Sequence, residues 1–260
     1  MNPNRAASNG APVTVTLLGT GDAFSSYGRA QAGYLIDVPG NGGILLEAGP
    51  AVLTTLKQNG RTTNDFDFLI VSHLHGDHFG GLPFLLLEYM FETRRKKVLT
   101  IAGPPNLEER TLRMMATMFA HYAIDKLRPK LKWVVLKPGS STRMGKYRVR
   151  AIRSPHTKPD ISLSVRIDGA GKSVVFSGDS GWNDELAKLS DGADLFICEC
   201  YAYAGKMTGH ISWEILKPKI PELRAKRLML THMNPSVLAR LDELKAAGVL
   251  VAADGLVFDL

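Results

Sequence analysis

The segment "VSHLHGDHFGG" places three of the chain's seven histidines and one aspartate within six consecutive positions. His73 and His75 are two residues apart, so in an extended segment their side chains point the same way. Gly76 allows a sharp turn, after which Asp77 and His78 lie near the start of a helix. Imidazole nitrogens and carboxylate oxygens are good ligands for borderline metals such as Zn²⁺. The segment therefore predicts a metal site, and its crowding favours two adjacent ions over one structural zinc.

Three more candidate ligands follow strand-like runs much later in the chain. His156 in "SPHTKP" follows "YRVRAIRS", Asp179 in "FSGDSG" follows "KSVVFS", and His232 in "THMNP" follows "RLMLT". Any one of them alone would be read as a surface or turn residue. Their recurrence at strand ends, where sites in α/β proteins collect, favours ligands. The alternative is a set of polar loops whose histidines make ordinary hydrogen bonds.

Short apolar runs alternate with turn signals and predict the elements that hold these residues. The strands are residues 13–18, 32–38, 43–48 and 67–72, then "LKWVVL", "YRVRAI", "ISLSVRI", "SVVFS", "ADLFICEC" and "RLMLTH". The helices are residues 50–58, 82–91, 106–123, 183–189, 212–220 and 235–247, and residues 41–43 predict a hairpin turn. Consecutive strands in the middle of the chain disfavour strict βαβ alternation. We expect one layered α/β (α+β) domain, residues 1–260, with two sheets between helices and a flexible tail at residues 1–11.

The composition and charge of the chain limit the kinds of substrate and partner that are expected. The net charge of +7 and three basic clusters, "RRKK" (94–97), "KLRPKLK" (126–132) and "RMGKYRVR" (143–150), favour anionic substrates such as phosphate esters, although a solvated basic surface would look the same. No apolar run reaches the roughly 18 residues that cross a bilayer, and the first residues lack an apolar signal core. Cys198 and Cys200 are expected to be buried free thiols, which suits the cytoplasm.

"HLHGDH" matches the HxHxDH signature of the metallo-β-lactamase fold superfamily, and "LLGTGDAF", "SGDS" and "THM" occur in the expected order over nearly the whole chain. The resemblance implies a four-layered αβ/βα sandwich with its site along one edge of the paired sheets. It also implies two metal ions with a defined ligand set. One ion would be held by His73, His75 and His156, the other by Asp77, His78 and His232, with Asp179 between them.

The opening "LGTG" and the strand "FICECY" followed by "GHIS" resemble the ribonuclease Z-like phosphodiesterase branch of that superfamily. This resemblance implies that His210 protonates the leaving oxygen or holds the phosphate, while Glu199 orients His210. The alternative is a salt-bridged Glu199 and an ordinary loop histidine. Relatives in this branch are often dimers, so a homodimer is a further expectation.

One departure from that branch concerns transfer RNA. Enzymes that mature tRNA carry an extended arm between the third histidine motif and the bridging aspartate, whereas His156 and Asp179 are only 179 − 156 = 23 residues apart here. The expected function is hydrolysis of a small or nucleotide-like phosphodiester by a hydroxide shared between two divalent metals, with Asp77 orienting the nucleophile. Zn²⁺ is the first expectation, and Mn²⁺ or Fe²⁺ also suit the ligands. Nucleic acid remains an open substrate class, with tRNA processing in doubt.

Two other functions remain open at this point. The same hydroxide could attack a lactone, a β-lactam or a sulfate ester, although such substrates need less help with the leaving group than Glu199 and His210 would give. A non-catalytic metal-binding accessory protein is disfavoured by the complete ligand set. His121, in "MMATMFAHYAID", is expected on a core helix or a lid over the pocket, and Asp22 is a candidate to orient a ligand.

Overall fold

A computed structural model describes residues 12–119 and 130–260, and these form two seven-stranded sheets. The first sheet contains β1 (Thr14–Gly19), β2 (Gly33–Asp37), β3 (Gly43–Leu46), β4 (Phe66–Ile70), β5 (Leu99–Gly103) and β6 (Leu131–Val135). The second contains β7 (Ser141–Met144), β8 (Tyr147–Ser154), β9 (Ser162–Gly169), β10 (Lys172–Phe176), β11 (Leu195–Glu199), β12 (Leu228–Thr231) and β13 (Leu250–Val251). The last strand, β14 (Val257–Asp259), returns to the first sheet beside β1.

The two sheets have matching strand arrangements. Their orders are β14-β1-β2-β3-β4-β5-β6 and β13-β12-β11-β10-β9-β8-β7. In each, antiparallel hairpins lead into a parallel half, which is β3 to β6 in one sheet and β10 to β13 in the other. The carboxyl ends of the parallel strands therefore meet along one edge, where α/β proteins place their sites. The predicted turn at residues 41–43 joins the antiparallel pair β2 and β3, and Gly42 has the positive φ of 74° that such a turn requires.

Helices cover the outer faces of both sheets. They are α1 (Val52–Gln58), α2 (Gly76–Phe79), α3 (Leu82–Leu87), α4 (Leu107–Met118), α5 (Asp184–Ser190), α6 (Trp213–Leu216), α7 (Pro235–Leu238) and α8 (Leu241–Ala246). Short 3₁₀ or π turns occupy Ser26–Gly28, Thr63–Asp65, Glu88–Glu92 and Lys217–Glu222. The first four helices pack on the first sheet and the last four on the second. Among the described residues, no helix combines the length and the apolar character needed to cross a membrane.

The central core lies between the two sheets. Val15 and Tyr34 from the first sheet meet Val149 and Phe176 from the second, and the rings of Tyr34 and Phe176 are 5.3 Å apart. Separate apolar clusters fill the space between each sheet and its helices. Burying each large apolar side chain contributes about 1.5–3 kcal/mol. The predicted four-layered αβ/βα sandwich is thus confirmed.

Several predicted elements differ in extent from the observed ones. The helix predicted at residues 82–91 is α-helical only to Leu87, because the Thr93 N–H donates to the Glu88 carbonyl five residues back and widens the last turn. The helix predicted at residues 235–247 is split into α7 and α8 at Arg240, whose φ is −130°. Strands β5, β7, β13 and β14 were not predicted. The end of the helix predicted at 106–123, with His121, lies outside the described residues.

Candidate metal centre

The histidine-rich segment forms the corner between β4 and α2. The strand ends at Ile70, and α2 begins at Gly76, so Asp77 lies in its first turn, as predicted. The ring centroid of His73 is 4.8 Å from that of His75 and 4.2 Å from that of His78. His73 and His78 are buried, whereas His75 is exposed at the rim. The corner therefore presents its imidazoles as one cluster that opens to solvent on one side.

The three later candidates join this cluster from the second sheet. His156 follows β8, Asp179 follows β10 and His232 follows β12, each shortly beyond the end of its strand. His156 Nε2 lies 3.0 Å from His75 Nδ1, across the space between the two sheets. Parallel and hairpin strands of both sheets thus deliver the predicted residues to one place.

Asp179 lies at the centre of the cluster. Its Oδ2 atom is 3.7 Å from the Nε2 atoms of His73 and His156 and 3.4 Å from His232 Nε2. Its Oδ1 atom is 3.2 Å from His78 Nε2. One carboxylate therefore reaches both halves of the imidazole cluster, as a ligand shared between two ions would.

The side chains fall into two groups of possible ligands that share this aspartate. In each group, one ligand atom per residue lies within 4.8 Å of all the others. The first group is His73, His75, His156 and Asp179, and the second is Asp77, His78, Asp179 and His232. A third group, Asp179, Glu199 and His210, meets the same distance limit.

Unpaired buried atoms test whether cations fit here. Four atoms of the cluster are buried without a well-aligned hydrogen bond to any described residue, and leaving such an atom unpaired costs about 1–3 kcal/mol. All are nitrogen or carboxylate oxygen, the donor types that divalent metals take. Three of them, His73 Nε2, His78 Nε2 and Asp179 Oδ1, face the centre of the cluster. The fourth, His232 Nδ1, lies on the side of its ring away from Asp179, because His232 Nε2 is the atom 3.4 Å from Asp179 Oδ2. The residues therefore fit divalent metal ions.

The electrostatics favour the metal-binding form for three residues of the cluster. Burial lowers the pKa of His73 well below its ordinary value and that of His156 to about 4, so both imidazoles are neutral near pH 7. Burial alone would raise the pKa of Asp179, but the imidazoles of His232 and His78 hold it well below its usual range. A metal ion binds neutral imidazole and ionised carboxylate, so these three groups need no proton removed first. His78 differs, since burial alone would lower its pKa, but the carboxylates of Asp179, Asp77 and Glu47 raise it well above the ordinary value, and a metal would have to displace a proton there.

Glu47 supports the site from behind and was not predicted from the sequence. It is fully buried at the end of β3. Its Oε1 accepts a hydrogen bond from Ser72 N at 2.7 Å, and its Oε2 lies 2.9 Å from His78 Nδ1. This contact places the His78 proton on Nδ1 and leaves Nε2 for a metal, as outer carboxylates do in metal sites. The only available signal was an acidic residue closing the apolar run "GILLEA".

Replacing Glu47 with glutamine is expected to weaken metal binding about 10–100-fold, because an amide cannot accept hydrogen bonds at both ends. The change would be measured by competition with a chelator of known affinity. Glu88→Gln is the matched control, since Glu88 is also buried but contacts Lys57 and Thr63 instead. Equal affinities for Glu47→Gln and the unmodified protein would contradict the assigned role.

Backbone strain occurs at two site residues. Glu47 has a φ of 65° and His232 a φ of 56°, a left-handed conformation that costs a non-glycine residue about 1–3 kcal/mol. Hydrogen bonds hold both in place: Glu47 N donates to Ile70 O at 2.8 Å, and His232 N donates to Thr20 O at 3.1 Å. These two conformations therefore lower the stability of the fold, and they direct the two side chains toward the cluster.

A glutamate and a histidine lie beside the cluster, at the positions predicted. Glu199 is buried at the end of β11, and its Oε1 accepts from Ser180 N at 2.8 Å and lies 2.9 Å from His210 Nδ1. Burial alone would lower the pKa of His210, but the hydrogen bond to Glu199 and the glutamate charge raise it. Cys198 and Cys200, on either side of Glu199, are buried free thiols, as expected.

Asp22, the candidate to orient a ligand, contacts Ser26. Its carboxylate accepts hydrogen bonds from Ser26 N at 2.9 Å and Ser26 Oγ at 2.8 Å, and so it shapes the loop between β1 and β2. Among the candidate ligands, His156 is oriented by the Gly209 carbonyl, 2.8 Å from its Nδ1. A backbone carbonyl thus orients one of the candidate ligands.

Comparisons with known proteins found relatives in both sequence and structure. Probable metallo-hydrolase YhfI of Bacillus subtilis is 27% identical over 228 residues, which cover 84% of this chain and 86% of that protein. The crystal structure of YhfI, a metallo-beta-lactamase fold protein, has a TM-score of 0.78 at 24% identity and covers 96% of this chain and 100% of that one. Ribonuclease Z of Methanosarcina mazei is 27% identical over a 273-residue alignment, covering 85% of this chain and 87% of that protein.

The human tRNase Z, short form, is similar in structure as well. Its crystal structure has a TM-score of 0.75 at 25% identity and covers 95% of this chain and 98% of that one. A family model described as "Anti-Pycsar protein Apyc1" matches residues 13–253. The protein therefore has the metallo-β-lactamase fold, resembles metallo-hydrolases and ribonuclease Z proteins within it, and belongs to the Anti-Pycsar protein Apyc1 family.

Proposed function

We propose that this protein is a metal-dependent phosphodiesterase that acts on a small or nucleotide-like phosphodiester. The observation that carries the proposal is the hydrogen-bonded pair of Glu199 and His210 next to the two ligand groups, with 2.9 Å between Glu199 Oε1 and His210 Nδ1. A phosphodiester with an alkoxide leaving group needs a proton for its leaving oxygen, and this pair could supply one.

Seven residues would hold the metals. His73, His75 and His156 would bind one ion, Asp77, His78 and His232 the other, and Asp179 both. When bound, two divalent ions lower the pKa of a water molecule toward neutrality and offset charge on the phosphoryl oxygens. Zn²⁺ is the proposed ion, with Mn²⁺ and Fe²⁺ as the alternatives that the same ligands accept.

The remaining steps belong to side chains of this chain. Asp77, partly exposed in the first turn of α2, would accept a hydrogen bond from the attacking water and orient it toward phosphorus. His210 has its Nδ1 engaged by Glu199, so its Nε2 is left to give a proton to the leaving oxygen. Glu199 stabilises the charged imidazole before the transfer and holds its orientation. These roles require the attacking water and His210 to approach the phosphorus from opposite sides.

The segment between His156 and Asp179 favours a small substrate over tRNA. It contains β9 and β10, joined by a short turn around Gly171, and no inserted arm. The chain is similar to proteins named ribonuclease Z and tRNase Z, so nucleic acid stays within the class of phosphodiesters to be tried. Because this segment has no inserted arm, the substrate would be bound by the residues along the site edge of the two sheets.

The surface charge supports an anionic substrate in part. The net charge is +7, and Arg148 and Arg150 are exposed on β8, although Arg150 pairs with Asp168. Arg95, from the first basic cluster, is instead buried, and its charge is offset by the neighbouring carboxylate of Asp67. The predicted attraction of anions therefore depends on fewer cations than the sequence suggested.

The test compares substrates on protein of measured metal content. We expect about two metal ions per chain and faster hydrolysis of bis(p-nitrophenyl) phosphate than of a lactone, a β-lactam or a sulfate ester. A precursor tRNA is expected to be a poor substrate. Faster lactone or β-lactam hydrolysis would assign the site to that chemistry, and metal-loaded protein inactive on every substrate would indicate an accessory role.

A further inference from the structure

Tyr201 packs against His210 and has no part in the chemistry described so far. It follows Cys200 directly after β11, and its side chain is half-buried at the rim of the cluster. The ring centroids of Tyr201 and His210 are 4.7 Å apart, with 31° between the ring planes. The Tyr201 ring also lies 6.1 Å from the ring of His232. At these distances aromatic rings contribute about 0.5–1.5 kcal/mol beyond their buried area.

The hydrogen bond from His210 Nδ1 to Glu199 Oε1 leaves one rotation of the His210 imidazole unfixed. It holds Nδ1 at one point but does not by itself set the plane of the imidazole, because the ring can still turn about the line that joins the two residues. Rings on other sides limit that turn: His156 meets His210 edge-on at 4.8 Å and 71°, and His232 stacks at 5.8 Å and 10°. Tyr201 is the closest of the three contacts and the only one from a residue outside the ligand groups.

The backbone of Tyr201 is tied to the same pair. Its N–H donates to Glu199 Oε2 at 3.2 Å and to the carbonyl of Ile211, the residue after His210, at 2.9 Å. Its carbonyl accepts from Asn234 N at 2.9 Å. A side chain carried on so fixed a backbone can hold a neighbouring ring in one plane.

We propose that Tyr201 is a positioning residue that holds the plane of the His210 imidazole, so that Nε2 points at the leaving oxygen. The proposal rests on the function proposed above for its effect on rate. It assigns the work to the ring of Tyr201 and not to its hydroxyl. It follows that phenylalanine should serve at this position and that an aliphatic residue should not.

The first experiment is a double-mutant cycle on kcat with a dinucleoside monophosphate, whose poor leaving group needs the proton. Tyr201→Leu is expected to lower kcat roughly 5- to 50-fold, within the range for coupled residues in contact, with little change in KM and in metal content. Tyr201→Phe should retain most of the rate. In the His210→Ala background, Tyr201→Leu should have no further effect, because the residue that it positions is gone.

Tyr203→Leu is the matched control for local destabilisation. Tyr203 lies two residues further along, donates a hydrogen bond to Glu243 Oε2 at 2.8 Å and packs on Arg240. The rate of Tyr203→Leu should equal that of the unmodified protein. Equal losses in Tyr201→Leu and Tyr201→Phe, or an undiminished loss in the His210→Ala background, would overturn the proposal.

A second measurement does not depend on the substrate. Side-chain NMR on protein with labelled histidine should record greater ring mobility of His210 in Tyr201→Leu than in Tyr201→Phe or in the unmodified protein. Unchanged mobility in Tyr201→Leu rejects the positioning role, even if the protein is an active phosphodiesterase. Increased mobility in a protein inactive on phosphodiesters supports the positioning role and rejects the proposed function alone.

Discussion

Asp179→Asn is expected to remove most of the metal and nearly all of the activity. The Asp179 carboxylate lies 3.2–3.7 Å from the imidazole nitrogens of both ligand groups, and an amide offers one neutral oxygen in its place. Loss of an outer partner of a ligand costs about 10–100-fold in metal affinity, so loss of a shared ligand should cost more. Metal analysis should find one ion or fewer per chain instead of about two.

The control for this variant is Asp168→Asn on β9, because Asp168 pairs with Arg150 and Arg166 away from the cluster. Its metal content and rate should match those of the unmodified protein. Two ions retained in Asp179→Asn would mean that the carboxylate is not shared, and the division of the cluster into two groups would have to be withdrawn.

His210→Ala is expected to slow phosphodiester hydrolysis by about 10²–10⁴-fold, the usual contribution of a general acid, while both metals stay bound. The loss should be largest for a dinucleoside monophosphate and much smaller for bis(p-nitrophenyl) phosphate. The physical reason is that p-nitrophenolate leaves without a proton, whereas an alkoxide does not. The ratio of the two rates therefore separates proton donation from binding of the phosphate.

The same variant tests the third ligand group. If His210 bound a metal together with Asp179 and Glu199, its removal would lower the metal content and slow both substrates alike. Ser236→Ala on α7 is a suitable control, since Ser236 contacts Asn234 and Tyr203 at the surface and no residue of the cluster.

The clustering of these histidine and aspartate side chains could be predicted from the sequence, because the segments that carry them are recognisable locally. The candidate ligands follow runs of apolar residues: one segment after residues 67–72 carries four of them, and each of the other three follows a run of its own. Such runs end at an edge of a sheet whichever strands they pair with. The fold followed from the same runs together with the HxHxDH resemblance. Short strands such as β13, with two residues, carry no pattern long enough to recognise.

Glu47 could not be predicted, because its role depends on strand pairing. Glu47 and His78 are 31 positions apart in the chain. They meet only because β3 lies beside β4, with Leu46 opposite Ile70. The contact of Tyr201 with His210 likewise depends on how the chain folds back after β11. Periodicity and motifs indicate which helix or strand a residue lies in. They do not indicate which other element that helix or strand will contact, and these two contacts depend on that.

The position of the cluster between the two sheets has a mechanical consequence. His73 and His78 extend from the first sheet, and His156, Asp179 and His232 extend from the second. A bound ion would therefore connect the two layers. Ligands separated this way bind an ion well only when the layers are docked. By linkage, metal binding would then stabilise the docked arrangement of the two layers. The ligands proposed for the reaction would therefore also help to hold the two sheets together.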